Sequence, residues 1–106
     1  TIPEDKFIDT PEFQHLLTYK KLTPLLLKKI RKKEQIEESV LKTYQASNPS
    51  LYYVYEVIGD YYEAMQQSKQ AIAYWQQALK KSIPKLQEKE RIQQKIQKQS
   101  KDGKES

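Results

Sequence analysis

The sequence predicts an all-α protein, a short antiparallel helical array of about five to six helices. Gln, Lys, Glu, Ala and Leu dominate the 106 residues, and only two are glycine. Apolar residues recur at helical spacing, whereas no window alternates at a period of two for long enough to predict a strand. With 37% hydrophobic and 31% charged residues, an elongated array with a thin core fits better than a sheet protein.

Prolines after potential cap residues divide the first half of the chain. Residues 1–9 are predicted as an extended lead-in, followed by a single domain over residues 10–99. Thr10 and Thr23 are expected to cap two separate helices, 11–19 and 24–32. The apolar residues expected to face the core from these helices are Phe13, Leu16, Leu17, Leu26, Leu27 and Ile30.

Four further helices are predicted after this pair. Residues 34–46 carry an amphipathic stripe, and residues 49–66 follow Asn48 as a cap. Ser68 is the expected N-cap of a helix over 69–81. Pro84 opens a last helix over 85–99, in which Ile92 and Ile96 stand among charges. Residues 100–106 contain no apolar residue and are predicted as a disordered tail.

The middle of the chain carries the most specific pattern. Its residues are Tyr55, Ile58, Gly59, Tyr62, Ala71, Trp75 and Ala78. This pattern resembles the tetratricopeptide repeat, with one clear repeat at 52–85, a degenerate helix pair before it and a capping helix at 85–99. Physical reasoning agrees, because Gly59 has no Cβ and would allow a second helix to approach closely. Gly59→Leu is expected to destabilise the domain severely and Gly59→Ala more mildly.

A wider resemblance extends from Phe7 to Gln97. The segments that carry it are Asn48–Tyr53, Ile58–Tyr62 and Ala78–Pro84. They are similar to the C-terminal helical extension of bacterial acyltransferase-like N-terminal-nucleophile hydrolases related to isopenicillin-N acyltransferase. The resemblance implies a catalytic domain upstream, whose nucleophile in that family is a cysteine, and this chain has none.

Composition excludes several kinds of chemistry. Without cysteine there is no thiolate nucleophile and no Cys-ligated metal, and two glycines leave no phosphate-binding Gly-rich loop. His15 has no evident partner, and Thr1 lacks the sheet scaffold that an N-terminal nucleophile needs. Neighbouring carboxylates such as Glu37 and Glu38 do not face each other on a helix, and the same holds for Glu88 and Glu90. We therefore expect no catalytic residue, cofactor or metal in this segment, and no apolar run reaches the length of a membrane span.

A basic run lies near the end of the second predicted helix. Its charged members are Lys28, Lys29, Arg31, Lys32 and Lys33. They could bind phosphate, anionic lipid headgroups or nucleic acid, or they could be a solvated helix end that complements the helix dipole. Nucleic acid is the less favoured partner, because no aromatic residue is interleaved with the run and acidic residues follow it at once.

A second candidate surface lies on one face of the helix over 49–66. This face carries Tyr53, Glu56, Asp60 and Glu63. A shift of 34 positions, the length of one repeat, takes Glu56 to Glu90 and predicts that Glu90 extends the acidic face onto the capping helix. By the tetratricopeptide resemblance this face lines a peptide-binding groove. Its acidity predicts a Lys- or Arg-bearing segment as ligand, and the alternative is a solvated face with no ligand.

The sequence therefore predicts a non-catalytic interaction or docking module, the C-terminal accessory domain of a larger protein. Its partner would be a protein or peptide segment, including the upstream domain of the same chain. Two alternatives stay open: anion or nucleic-acid binding through the basic run, and a fragment of an acyltransferase or hydrolase whose active site lies upstream.

Overall fold

The computed structural model of the chain describes the backbone of residues 11–105 and the side chains of residues 13–100. Within these residues it contains five α-helices and no strand, which confirms the all-α class. The helices are α1 (Pro11–Arg31), α2 (Glu38–Ser47), α3 (Tyr52–Ala64), α4 (Ser68–Leu79) and α5 (Leu86–Glu105). The predicted lead-in over 1–9 and the Thr10 cap lie outside the described residues. No helix among the described residues is long and apolar enough to cross a membrane.

Helix α3 lies at the centre of the core. It packs closely against α4, and α4 in turn packs against α5, while α1 contacts both α2 and α3. The contacts of α3 pair it antiparallel with α4 and parallel with α5. The core residues that are at most 1% exposed are Leu26, Tyr44, Val54, Val57, Ile58, Ala71, Trp75, Ala78 and Ile92. Burying each large side chain contributes about 1.5–3 kcal/mol, so all five helices are held by one core.

Gly59 sets the distance between α3 and α4. A Cβ at this position would lie well inside van der Waals contact of Cδ1 and Nε1 of Trp75, and 3.1 Å from the carbonyl oxygen of Ala71. The indole therefore lies directly against the backbone of α3 and is itself 0% exposed. Close packing of this glycine, expected from the sequence, is present in the structure.

The structure has one helix, α1, where the sequence predicts two separate helices. Pro24 lies inside one continuous helix of 21 residues, although an internal proline removes a backbone hydrogen bond and costs about 3 kcal/mol. Packing on both sides of the proline compensates. Tyr19 stacks on Tyr44 of α2 with ring centroids 5.6 Å apart, and Leu26 is 1% exposed. Thr23 does not cap a helix; its Oγ1 donates to the Tyr19 carbonyl at 2.7 Å and lies 2.9 Å from the Tyr44 hydroxyl.

The connection between α1 and α2 is extended where the sequence predicts helix from residue 34. Ile36 is buried there, and its backbone is held from α3. The Tyr61 hydroxyl accepts from the Ile36 N–H at 3.1 Å and donates to the Ile36 carbonyl at 3.3 Å. Because one hydroxyl satisfies both backbone groups, helix formation has nothing to gain at this residue.

Two predicted helix starts and the tail also differ. Helix α3 begins at Tyr52 rather than at Pro49, whose carbonyl instead accepts from the Tyr55 hydroxyl at 2.7 Å. Helix α4 includes Ser68, whose hydroxyl donates to Gln99 of α5 at 2.8 Å instead of capping its own helix. Helix α5 continues to Glu105 through most of the predicted disordered tail.

Candidate functional site

The face of α3 that the sequence singles out is filled by α5. Glu56 is a buried carboxylate, 1% exposed, and it accepts three hydrogen bonds. Nε and Nη2 of Arg91 donate at 2.8 and 2.6 Å, and Nζ of Lys95 donates at 2.8 Å. Such a bidentate guanidinium contact is among the strong, geometrically specific pairs. Glu56 is therefore fully occupied within the chain.

Asp60 extends this cluster by one helical turn. Its Oδ1 accepts from Nζ of Lys95 at 2.9 Å and from Nε1 of Trp75 at 3.2 Å. The indole N–H also lies 3.3 Å from the Glu56 carbonyl oxygen, and the Lys95 ammonium lies 6.0 Å from the Trp75 ring centroid. The buried tryptophan thus finds its polar partner in the same cluster that joins α3 to α5.

The ion pairs of the cluster oppose the effect of burial on the pKa of each member. Burial would raise the pKa of Glu56, but the hydrogen bonds and charges of Arg91 and Lys95 outweigh it and hold that pKa below its ordinary value. Burial raises the pKa of Asp60, and Lys95 offsets this only in part. Although burial would lower the pKa of Lys95, the charges and hydrogen bonds of Asp60 and Glu56 raise it. These are the properties of a structural ion-pair cluster, in which each charge stabilises its neighbour.

The remaining residues of the predicted surface divide between two places. Glu63 accepts from Nε2 of Gln99 at 2.9 Å, so it too contacts α5. Tyr53 is half-buried beside the cluster, where burial and the charges of Glu56 and Asp60 raise its pKa. Glu90 is exposed and forms no hydrogen bond or ion pair with α3 among the described residues. The structure therefore brings together four of the five residues that the sequence grouped.

Arg91 and Lys95 are the site residues that sequence reasoning missed. Arg91 follows Glu56 by 35 positions and Lys95 follows Asp60 by 35. The shift of 34 positions therefore pointed to Glu90, one residue before the side chain that makes the contact. A signal was present, because two acids four apart on α3 match two bases four apart on α5.

An open cleft of about 620 Å³ lies between α1, α3 and α5. This volume is in the range of sites that hold small molecules or a few peptide side chains. Its lining combines apolar, amide and charged groups and consists of Ile30, Lys33, Asp60, Glu63, Ala64, Gln66, Lys95, Lys98 and Gln99. The cleft is a concave surface on which a ligand would meet three helices at once.

The basic run lies at the mouth of this region. All five of its cationic side chains are exposed, and three of them stand in the last turn of α1, where they complement the helix dipole. Only Lys33 also lines the cleft. The structure thus connects one end of the basic run to the cleft through a single residue.

Residues weighed for catalysis take ordinary positions. His15 is exposed, and Thr1 lies outside the described residues. Glu38 forms an exposed ion pair with Lys42 at 3.4 Å. The part of the chain that the structure describes contains no group of three His, Cys, Asp or Glu residues able to hold a metal ion.

Comparison with known proteins adds no assignment. No protein-family model, curated protein or solved structure matches the chain. The tetratricopeptide and acyltransferase resemblances therefore stay predictions, and function has to be argued from the cleft and the α3–α5 cluster alone.

Proposed function

We propose that the chain is a non-catalytic docking module that binds a protein or peptide segment in the cleft between α1, α3 and α5. The cleft itself carries this proposal, since three packed helices form a concave surface of about 620 Å³ that the described side chains leave open. Because the walls of the cleft are helices, the site itself loses little conformational entropy when a segment binds. A segment belonging to the same polypeptide would serve as well as a separate partner.

In this proposal, the acidic residues Glu56 and Asp60 of α3 hold the fold together and do not bind the partner. The buried charges are paired within the chain, because Arg91 and Lys95 already contact Glu56 and Asp60. Reversing those two acids to lysine would leave four cations together and unfold the domain rather than reveal a binding site. We therefore place the docking surface in the cleft and assign the α3–α5 cluster to its support.

The experiment is a ¹H–¹⁵N NMR titration of the full chain with an acidic, a basic and a neutral peptide of equal length. We expect at least one peptide to shift the amide signals of Ile30, Ala64 and Lys98 in a saturable way. Ala64→Phe, which fills the cleft, should remove those shifts. Ala73→Phe, at an exposed position of α4 outside the cleft, is the matched control and should not.

Shifts that are absent with all three peptides, or that survive Ala64→Phe unchanged, would contradict the proposal. Circular dichroism melts of both variants establish that each is folded under the titration conditions. The readout therefore separates a blocked cleft from a damaged fold.

A second candidate function is anion or nucleic-acid binding through the basic run. The exposure of all its cationic side chains favours this function. Titration with single-stranded DNA tests it, and the expected signature is an affinity that falls linearly with salt on logarithmic axes. Signals of Lys28, Lys29 and Lys32 would then shift while those of Ala64 would not.

A further inference from the structure

The charges that line the cleft differ in whether they already have partners. Asp60 is held by Lys95 and Trp75, and Glu63 by Gln99. The side chains of Lys33 and Lys98 are exposed and form no hydrogen bond or ion pair among the described residues. The groups left to meet a ligand are therefore two ammonium groups, because Lys95 neutralises the Asp60 carboxylate. Glu63 accepts a hydrogen bond from a neutral amide and keeps its negative charge.

The backbone provides a second, independent observation. Lys33 and Gln66 have φ angles of 57° and 61°, and they are the non-glycine residues with positive φ among those described. Each follows a helix end closed by paired backbone hydrogen bonds, from residues 33 and 34 at α1 and from residues 66 and 67 at α3. Glycine is the residue that this position favours. Both side chains instead line the same cleft, so the chain keeps polar side chains there despite the conformational strain.

We infer that the cleft binds an acidic peptide segment, whose Asp or Glu side chains contact Lys33 and Lys98. This inference rests on the proposed docking function and specifies its partner. Ile30 of α1 and Ala64 of α3 add apolar surface to the lining of the cleft. The exposed Gln66 amide can hydrogen-bond to a peptide backbone. The carboxyl end of α1, which alone would repel an anion, carries Lys28, Lys29 and Arg31 in its last turn.

The same lining disfavours nucleic acid in the cleft. Asp60 and Glu63 stand within it, and Glu34 follows Lys33 directly. A peptide can place neutral residues opposite these acids, whereas a nucleic acid presents a phosphate at every nucleotide. The α3 face does not compete for the acidic ligand, because its own charges are negative.

The test compares two double variants of the full chain that change the net charge equally. Lys33→Glu with Lys98→Glu reverses the cleft lysines, and Lys69→Glu with Lys89→Glu reverses two exposed lysines elsewhere. We expect the cleft variant to weaken binding of the acidic peptide about tenfold or more and the control about twofold or less. Binding to the unmodified chain should weaken as salt rises.

Equal weakening in the two variants would overturn the inference, because it would indicate unspecific attraction to a basic protein. Preferential binding of the basic peptide in the cleft would also overturn it, while leaving the docking function intact. If no peptide binds, both proposals fail; if only DNA binds, the basic-run function replaces them. Since all four lysines are exposed, the melting temperatures of the two variants should stay close to that of the unmodified chain, and circular dichroism checks this.

Discussion

At the scale of single residues, the contact of Gly59 with Trp75 brings helices α3 and α4 close together. The indole ring occupies the space that any Cβ on residue 59 would need, and it cannot move away because it is fully buried and bonded at Nε1. A methyl group is therefore enough to separate the helices. The sequence predicts only a mild loss of stability for Gly59→Ala, because it does not show that the Trp75 ring lies where the alanine methyl group would be.

Gly59→Ala should lower the free energy of unfolding by about 1–3 kcal/mol, although alanine gains about 1 kcal/mol in helix propensity. Urea denaturation measures the change. The chain's other glycine supplies the control: Gly103 lies within α5, and Gly103→Ala should leave stability unchanged or raise it slightly. A stabilised Gly59→Ala variant would show that the indole does not lie against this backbone.

Gln66 is the reverse case of Gly59: its backbone conformation favours glycine, but the residue carries a side chain. Its φ of 61° costs an L-residue about 1–2 kcal/mol, part of which glycine would recover at the expense of greater freedom in the unfolded chain. Gln66→Gly should therefore stabilise the protein by about 0.5–1 kcal/mol. Its neighbour Gln67, at φ −108°, gives the control, since Gln67→Gly should stabilise nothing. Thermal melts would contradict the assignment if both variants behaved alike.

At the scale of elements, α3 and α5 are joined mainly by long charged side chains. Their backbones lie further apart than those of the α3–α4 and α4–α5 pairs, and Arg91 and Lys95 span the gap. Lys95 is central because it contacts both Glu56 and Asp60. Removing one partner from such a cluster leaves buried charge without compensation, which is more damaging than never having the pair.

Lys95→Met should lower the free energy of unfolding by about 3 kcal/mol at neutral pH. Lys42→Met is the control; it breaks an ion pair whose side chains are 75% and 76% exposed and should change stability by at most about 0.5 kcal/mol. The depressed pKa of Glu56 contributes stability above the unfolded carboxyl value of about 4.3. That contribution is lost as pH falls through the folded value. The raised pKa of Asp60 acts in the opposite sense, because its partly buried carboxylate costs stability at neutral pH and protonation relieves that cost.

Melts at neutral and acidic pH therefore test the sign of this effect. Protonated carboxyl groups no longer need Lys95, so the difference between the unmodified chain and Lys95→Met should narrow in acid. A difference that stays constant or widens would contradict the assignment of the stabilising effect to the pairing of Lys95 with the two carboxylates.

Sequence reasoning succeeds for elements whose own periodicity specifies them and fails where a distant partner decides. The stripes containing Trp75, Ala78 and Ile92 predicted helices and the residues they bury. Pro24 suggested a helix boundary because its local rule is strong, yet the stacking of Tyr19 on Tyr44 keeps α1 continuous. No local rule links these two tyrosines, which meet only after α1 and α2 pack.

The candidate site shows the same division at finer resolution. The shared face of Glu56, Asp60 and Glu63 followed from helical geometry. Their partners did not, because a difference of one residue in the relative position of α3 and α5 exchanges Glu90 for Arg91. The sequence predicts this face as a groove for a basic ligand, and the basic side chains that contact it in the structure belong to α5.

At the scale of the whole molecule, the net charge of +5 is unevenly placed. Between α3 and α5, Glu56 and Asp60 balance Arg91 and Lys95. The end of α1 carries uncompensated cations next to the cleft. The positive potential that steers an approaching acidic partner is therefore concentrated beside the surface on which we propose that it docks.

The central position of α3 also determines which backbone amides exchange with solvent only on global unfolding. Its backbone is enclosed by α1, α2 and α4 and its remaining face by side chains of α5, so its amides can reach solvent only when the whole core opens. Hydrogen–deuterium exchange of Val57 and Ile58 should therefore report the global free energy of unfolding, and the outer turns of α5 should exchange far sooner. Faster exchange in α3 than in α5 would mean that the protein opens from its centre.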